Sequence, residues 1–344
     1  MVGAGPAGLF TALLLRQRDI AVDVAVWERD REETAGFGVI LPPEAVELIH
    51  RTASVLADEL TPHLVHWRKT TVARCSDPPT VVPTPPLSAI ARTALNQVLW
   101  EACGAAGVLL REREAPGLPA LSAAYDLVVC ADGAGSQAGA AGFEVKVQEV
   151  GPPYVWLGLD HAIDGMNFRV ERTADGPYLA HAYPYSDSAS TFLVEGPSPL
   201  RPDEIAALFD VSVRTSPERR NGNWRMFRQR TVRPWWRENV VLVGDAAHTV
   251  HYSVGYGTYL ALRDAVSLVD QLAGVESTAA ALAAYEQERR PAVEWSQLQG
   301  KMSAEWFAEV EDVLDLPPSR FAASLLTRGG RLQHPSAEPR RGSP

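Results

Sequence analysis

The chain opens on Gly3-Ala4-Gly5-Pro6-Ala7-Gly8, and no other stretch constrains its fold as much. Three glycines at this spacing allow a tight turn, close approach of a pyrophosphate, and packing of the next helix against a sheet. The apolar run that follows reads as that helix, and Ala21 to Asp30 reads as the next strand, ending near Glu28, 20 residues beyond Gly8. An acid there can accept hydrogen bonds from ribose hydroxyls, while the helix N-terminus suits a diphosphate. Strands usually hold about five or six residues, yet only Met1 and Val2 precede Gly3. The expectation is an unusually short first strand or a start assigned late.

Two further stretches carry the same signature of a buried strand emptying into a site. Tyr125 to Ser136 is a continuous apolar run that ends in Asp132-Gly133, and Asn239 to His248 is another that ends in Gly244-Asp245. Runs apolar at every position suit strands covered on both faces. A carboxylate at such a strand end can bond a polyol hydroxyl of a bound ligand. Before both runs, residues 76–88 are proline-rich and read as a loop, followed by a helix with Ile90, Leu95, Val98 and Leu99 at helical spacing. From Tyr154 to Glu195 the texture becomes aromatic and alternating, as in an antiparallel sheet. Gly257 to Gly274 reads as a helix, Thr278 to Leu326 as a helical region, and the end of the chain as a disordered tail.

With 32 basic and 42 acidic residues the formal net charge is −10, which argues against nucleic acid or an anionic membrane as the main partner. Cys75, Cys103 and Cys130 are far apart and lack metal-ligand spacing, so they read as reduced core thiols in a cytoplasmic protein, and no metal site is expected. No apolar run reaches the roughly 18 residues of a membrane span.

Taken together, GAGPAG with Glu28, then ADGAGS at 131–136, then GDAAH at 244–248 and a glycine-rich loop, the chain resembles the FAD-dependent aromatic hydroxylases related to p-hydroxybenzoate hydroxylase. Three longer stretches, Ala180 to Gly196, Gly244 to Ala265 and Phe321 to Arg328, are similar to the subgroup with salicylyl-CoA 5-hydroxylase, 2-aminobenzoyl-CoA monooxygenase and the violacein-pathway hydroxylase. The wider family's proline after GDAAH is replaced here by the sequence His251 to Gly257, which agrees with the subgroup. The resemblance implies an α/β fold: a glutathione-reductase-like FAD-binding Rossmann domain (residues 1–75, 88–150 and 238–275) and an inserted, mostly antiparallel substrate domain (76–87 and 151–237). A C-terminal helical region (276–330) and a tail (331–344) complete it.

It also implies an activity. NAD(P)H, binding transiently because no second glycine motif is present, reduces FAD. A flavin C4a-hydroperoxide formed from O2 then hydroxylates an electron-rich ring in a small-molecule substrate, in a monomer or homodimer. FAD contacts are expected from Gly3, Gly5, Pro6, Ala7, Gly8, Glu28, Arg92, Asp132, Gly133, Gly244, Asp245, Gly255 and Gly257. The helix that begins near Gly257 would direct its positive end at the flavin pyrimidine. The subgroup points to a hydroxy- or aminobenzoyl-CoA thioester, with an indole or other natural-product ring as the alternative. A halogenase is disfavoured because Trp235 and Trp236 are adjacent and followed by Arg237, without a Trp-x-Trp-x-Ile-Pro signature. A scaffold that has lost FAD is the non-enzymatic alternative.

His248, His251 and Tyr252 are the candidates for substrate contact or deprotonation, each weighed against a structural role. His181, Tyr183 and Tyr185 alternate along a strand and share one face, which lines the pocket or simply packs. Arg225, Arg228, Arg230, Arg233 and Arg237 read as a solvated basic face, or else as a patch for an anionic substrate group.

Overall fold

The computed structural model describes residues 1–18, 23–30, 37–215, 223–274 and 277–328; the expected disordered tail lies outside them. In chain order the first half comprises α1 (Pro6–Gln17), β1 (Ala25–Glu28), β2 (Gly38–Leu41), α2 (Pro43–Thr52), α3 (Ser54–Leu60), β3 (Val65–Arg74), β4 (Thr80–Ala91), α4 (Arg92–Ala105), β5 (Leu109–Glu112), α5 (Leu118–Ala124) and β6 (Val128–Cys130). The second half follows with β7 (Glu144–Leu159), β8 (Met166–Thr173), β9 (Gly176–Ser186), β10 (Ala189–Glu195), α6 (Pro202–Phe209), β11 (Val213–Arg214), β12 (Arg225–Arg233), β13 (Trp236–Arg237) and β14 (Val240–Leu242). Three helices close it: α7 (Gly257–Gly274), α8 (Thr278–Ala308) and α9 (Pro318–Thr327).

Met1 to Gly3 join two pieces of parallel sheet. β1 pairs with β5, and β6 pairs with β14, both in parallel. Val2 bridges Trp27 on one side and Cys130 on the other. The amide of Val2 donates to Val129 at 2.8 Å, the amide of Gly3 to Trp27 at 2.9 Å, and the amide of Ala131 to Val2 at 2.7 Å. Met1 to Gly3 thus stand between the two pieces and bond both neighbours. On one face Leu9, Phe10 and Leu13 of α1 pack with Leu95 and Leu99 of α4 and Leu262 and Val269 of α7. On the other, Val128, Val241 and Leu242 meet Leu282, Tyr285 and Val293 of α8. Burial of these side chains on both faces is why β6 and β14 are apolar at every position.

The other sheet has nine strands, ordered β11-β7-β10-β9-β8-β3-β4-β2, with β12 paired to β7, and all its pairings are antiparallel except β3 with β8. Three expectations change here. Residues 76–88 are expected as a loop and Ile90 in the helix after it, but Thr80 to Ala91, Ile90 included, form β4, and the helix starts at Arg92. Over its proline-rich half β4 pairs only with β3, because β2 reaches no further than Ser88. An edge strand can carry Pro83, Pro85 and Pro86 because one side of its backbone needs no donors. Residues 65–74 and 144–150, expected with the parallel layer, belong to this second sheet as β3 and the first half of β7. For β3 the cause is packing, since Trp67 and Val72 cluster with Phe168, Val170 and Leu179. Finally, Cys75 is an exposed residue of the turn after β3, with φ +46°, rather than a core thiol. Cys103 and Cys130 are buried, and burial pushes both thiols up to about 12.

Candidate active site

The glycine turn is shaped by its neighbours. Gly3 has φ +96°, and a Cβ there would sit 2.4 Å from the carbonyl oxygen of Ala131; one on Gly8 would lie 2.2 Å from that of Gly3. Gly5 differs. It caps α1 in an extended conformation, φ −74° and ψ 176°, and a Cβ on it would meet nothing within 4 Å. Gly3 and Gly8 therefore serve close packing, while Gly5 keeps open the space in front of the α1 N-terminus. The Glu28 carboxylate accepts from the amide of Ala4 at 2.8 Å, which ties the acid at the end of β1 to the turn.

A cavity of about 1090 Å³ runs along this turn, lined by Gly3, Gly5, Glu28, Arg92, Asp132, Gly133 and Gln137. A second, of about 790 Å³, is lined by Gly5, Pro6, Ala7, Arg92, Gly133, Asp245 and Gly255 to Thr258. The two share Gly5, Arg92, Ala131 and Gly133, so they form one elongated groove bent around the N-terminus of α1. Asp132 accepts from the amide of Gln137 at 3.2 Å through one oxygen, and its other oxygen is buried without a partner among the described residues. A turn open to a diphosphate, a cation beside it and an orphaned buried carboxylate oxygen fit a dinucleotide with polar groups along its length. Gly8 and Gly244, expected as contacts, line neither cavity; Gly244, with φ +59°, lets Ala7 of α1 and Ala261 of α7 approach. Asp245 faces the groove and is reached by solvent. The enclosing protein pushes its carboxyl above the ordinary range, while His248 and Arg92 pull it back.

Behind Asp245 lies a buried ion cluster. Asp264 of α7 accepts from His248 Nε2 at 2.7 Å, the Gly244 amide at 3.0 Å and Arg289 Nε at 3.0 Å. Burial alone would raise the Asp264 carboxyl, but His248, Arg289 and the Gly244 amide outweigh it and hold the group below the ordinary carboxylate range. The same contacts fix the turn that presents Asp245.

The far end of the 790 Å³ cavity is aromatic, with Tyr154, Trp156, Phe168, His181, Tyr183, Phe227 and Tyr252 in its wall. Tyr183 donates to the carbonyl oxygen of Gly38 at 2.8 Å, and burial pushes its phenol up to about 12. Tyr183→Phe is therefore expected to lower stability by about 1 kcal/mol, the worth of one such bond, read as a shift of the urea midpoint with the slope unchanged. The structure takes two of the three expected catalytic residues off this wall. His248 is only 3% exposed and is bonded to Asp264. His251 is fully buried beside Ser253, with Nδ1 2.8 Å from Oγ, and burial drives its imidazole down to about 3, so it stays neutral. Of the three, Tyr252 alone faces the cavity. Tyr185 also leaves the wall: it accepts from Arg214 at 2.8 Å, while His181 and Tyr183 remain.

The arginine cluster is not one solvated face. Arg230 is buried, and its Nε donates to the Ala246 carbonyl at 3.0 Å. Arg225 lies over the Tyr154 ring at 4.9 Å and lines the cavity, as does the exposed Arg228. Arg233 and Arg237 are exposed, the first paired with Glu294. Cavity residues that the sequence did not single out include Arg328, a buried cation at the end of α9, and the aromatic Tyr154, Trp156, Phe168 and Phe227.

Residues 203–297 match the family described as FAD binding domain. Across 96% of its length the chain is 42% identical to a 3-hydroxy-4-methyl-anthranilyl-[aryl-carrier protein] 5-monooxygenase of Streptosporangium sibiricum, of which 93% is covered. The chain belongs to the FAD-dependent aromatic monooxygenases. This family member is also 35% identical to a salicyloyl-CoA 5-hydroxylase of a Streptomyces species, over 95% of the chain and 69% of that enzyme. Its fold is similar to that of the tetrameric form of 2-methyl-3-hydroxypyridine-5-carboxylic acid oxygenase, with TM-score 0.73, 19% identity and coverage of 97% of this chain and 96% of that one. As a monooxygenase of this family it uses FAD, with NAD(P)H as reductant, on a small aromatic substrate. Among the described residues no helix is long and apolar enough to cross a membrane.

Proposed function

We propose that this enzyme hydroxylates a hydroxy- or aminobenzoyl group held as a thioester, on CoA or on a carrier protein. The observation that carries the reading is the aromatic end of the 790 Å³ cavity, which shares its walls with the Gly255 to Thr258 turn and carries the exposed Arg228 beside it. A flat ring fits among Trp156, Phe168 and Tyr183, and an arginine beside the opening suits the phosphate of a pantetheine arm. Two relatives with different carriers, an aryl-carrier protein and CoA, support the same class.

The parallel layer is read as a Rossmann-type FAD domain interrupted by the antiparallel sheet. The amides at the start of α1, with Arg92, would hold the pyrophosphate, Glu28 the ribose, and Asp245 the ribityl chain. The start of α7, at Gly257 and Thr258, would face the flavin ring with its positive end. Bound FAD supplies the redox chemistry, taking hydride from NAD(P)H and activating O2. The chain's residues orient the aromatic ring and keep bulk water from it.

The test is a panel of salicyloyl-CoA, 2-aminobenzoyl-CoA, the same acyl groups on a phosphopantetheinylated carrier protein, the free acids, and tryptophan. NADH and NADPH consumption is expected to rise at least tenfold with a thioester over the resting enzyme, with a product heavier by one oxygen atom. Stimulation by tryptophan alone would reject the thioester reading.

A further inference from the structure

Glu195 and His181 form a pair to which the cofactor groove assigns no role. In the β9–β10 register Leu193 lies opposite His181, so Glu195, two residues on, shares its face of the sheet. His181 Nε2 is 3.0 Å from Glu195 Oε1, with side chains 9% and 1% exposed. Glu195 is the last residue of a strand buried at every position. Its Oε2 and the Tyr252 hydroxyl are both buried, and burial first, then the Glu195 charge beside it, pushes the Tyr252 phenol well above its ordinary value. His181 lines the cavity, whereas Glu195 stands behind it.

The ring of His181 is held among aromatic groups: Phe168 stacks on it at 5.7 Å, and Phe307 and Tyr252 lie at 5.7 Å. The titratable and charged groups around it come from several elements. Glu195 is supplied by β10, His251 and Tyr252 by the segment before α7, and Arg328 by the end of α9, over the Phe168 and Phe307 rings. Tyr154 of β7, with Arg225 of β12 on its ring, completes the set. Within it Glu195 is the one carboxylate, the group that can balance a cation on His181. An acid buried behind a pocket wall, bonded to the one imidazole in that wall among the described residues, is the arrangement of a base and the group that orients it.

We propose that His181 accepts the proton of the substrate's ring hydroxyl, and that Glu195 is its positioning residue. This rests on the reading of the cavity as a site for a hydroxylated aromatic ring. Nε2–H donates to Glu195, which leaves Nδ1 as the lone-pair acceptor. The substrate O–H bond breaks, its electron pair stays on oxygen as the phenolate, and the proton bonds to Nδ1. Glu195 then balances the imidazolium. A phenolate ring is richer in electrons than the phenol, as an electrophilic oxygen transfer requires. No electron leaves the pair, so the step needs no further reactant.

The experiment titrates salicyloyl-CoA bound to the FAD-loaded enzyme without O2 or reductant, because its phenolate absorbs at longer wavelength than its phenol. Binding is followed separately through perturbation of the flavin spectrum. Glu195→Gln keeps the shape and one hydrogen bond of the acid, and His181→Gln is the second variant; FAD content reports their integrity. In both variants the bound phenol is expected to titrate about 1–3 pH units higher than in the parent, as for loss of one close charge partner. Equal titration in all three proteins, with binding intact, would overturn the pair and leave the substrate reading standing. A flavin spectrum that salicyloyl-CoA leaves unperturbed in the parent would overturn both.

Discussion

Asp264→Asn is expected to destabilise the folded enzyme by about 3–5 kcal/mol, the range for removing one partner of a buried ion pair. Asp264 is fully buried and serves three donors: His248, the Gly244 amide and Arg289, itself 3% exposed. Asparagine cannot balance the guanidinium of Arg289, which would remain as an uncompensated buried cation. The same change should loosen the Gly244 turn and with it Asp245. The measurement is the urea midpoint, with Arg233→Ala as control, because the Arg233–Glu294 pair is exposed and should contribute only about 0–1 kcal/mol. Acid titration provides a second measurement. Asp264 is held below its ordinary range, so its contribution is complete above the unfolded value, about pH 4, and fades as pH falls through the lower folded value. The parent should therefore lose stability below about pH 4 more steeply than the Asn variant. Parallel acid curves, or a cost within that of the surface control, would remove Asp264 from the centre of the turn.

That His248 belongs to this cluster was not legible in the sequence, and the reason is general. GDAAHTVHY fixes a strand end, a turn and an acid, because apolar periodicity and glycine placement are local properties. Whether His248 or His251 points at the cavity depends on α7 and α8, whose Asp264, Arg289 and Gly300 decide where each ring rests. Glu195 escaped for a related reason. A glutamate closing an apolar strand was visible, but its partner His181 lies on the neighbouring strand, and the pairing needs the β9–β10 register. The proline-rich strand β4 was hidden by edge position, a property of the sheet and not of the segment. The groove proposed for the cofactor depends on more local features. Its determinants, a glycine turn and three acids at or just after strand ends, are each set by a few adjacent residues whose spacing in the chain is their spacing in the fold.

The glycine turn also separates two effects that are usually entangled, and Gly5→Val is the substitution that does so. At Gly3 or Gly8 any side chain collides with backbone, at 2.4 Å and 2.2 Å. Gly3→Ala and Gly8→Ala should therefore damage the fold and the cofactor site together. Gly5 has backbone angles that any residue adopts and no atom within 4 Å of its Cβ position. The fold of the apoprotein should accept valine there, with a melting temperature close to that of the parent. The added side chain would stand in the groove before the first turn of α1, where Arg92 also lines the wall, and would keep a pyrophosphate from the helix amides. Hydrogen bonds to a charged group contribute about 1.5–3 kcal/mol each, so loss of one or two predicts FAD affinity lower by about 10-fold at the least and by about 100-fold or more if two are lost. Equilibrium titration of apoprotein with FAD, beside thermal unfolding of the same preparations, measures both quantities. Undiminished FAD affinity in Gly5→Val would show that the diphosphate does not lie before α1, and would remove the assignment of this turn to the cofactor.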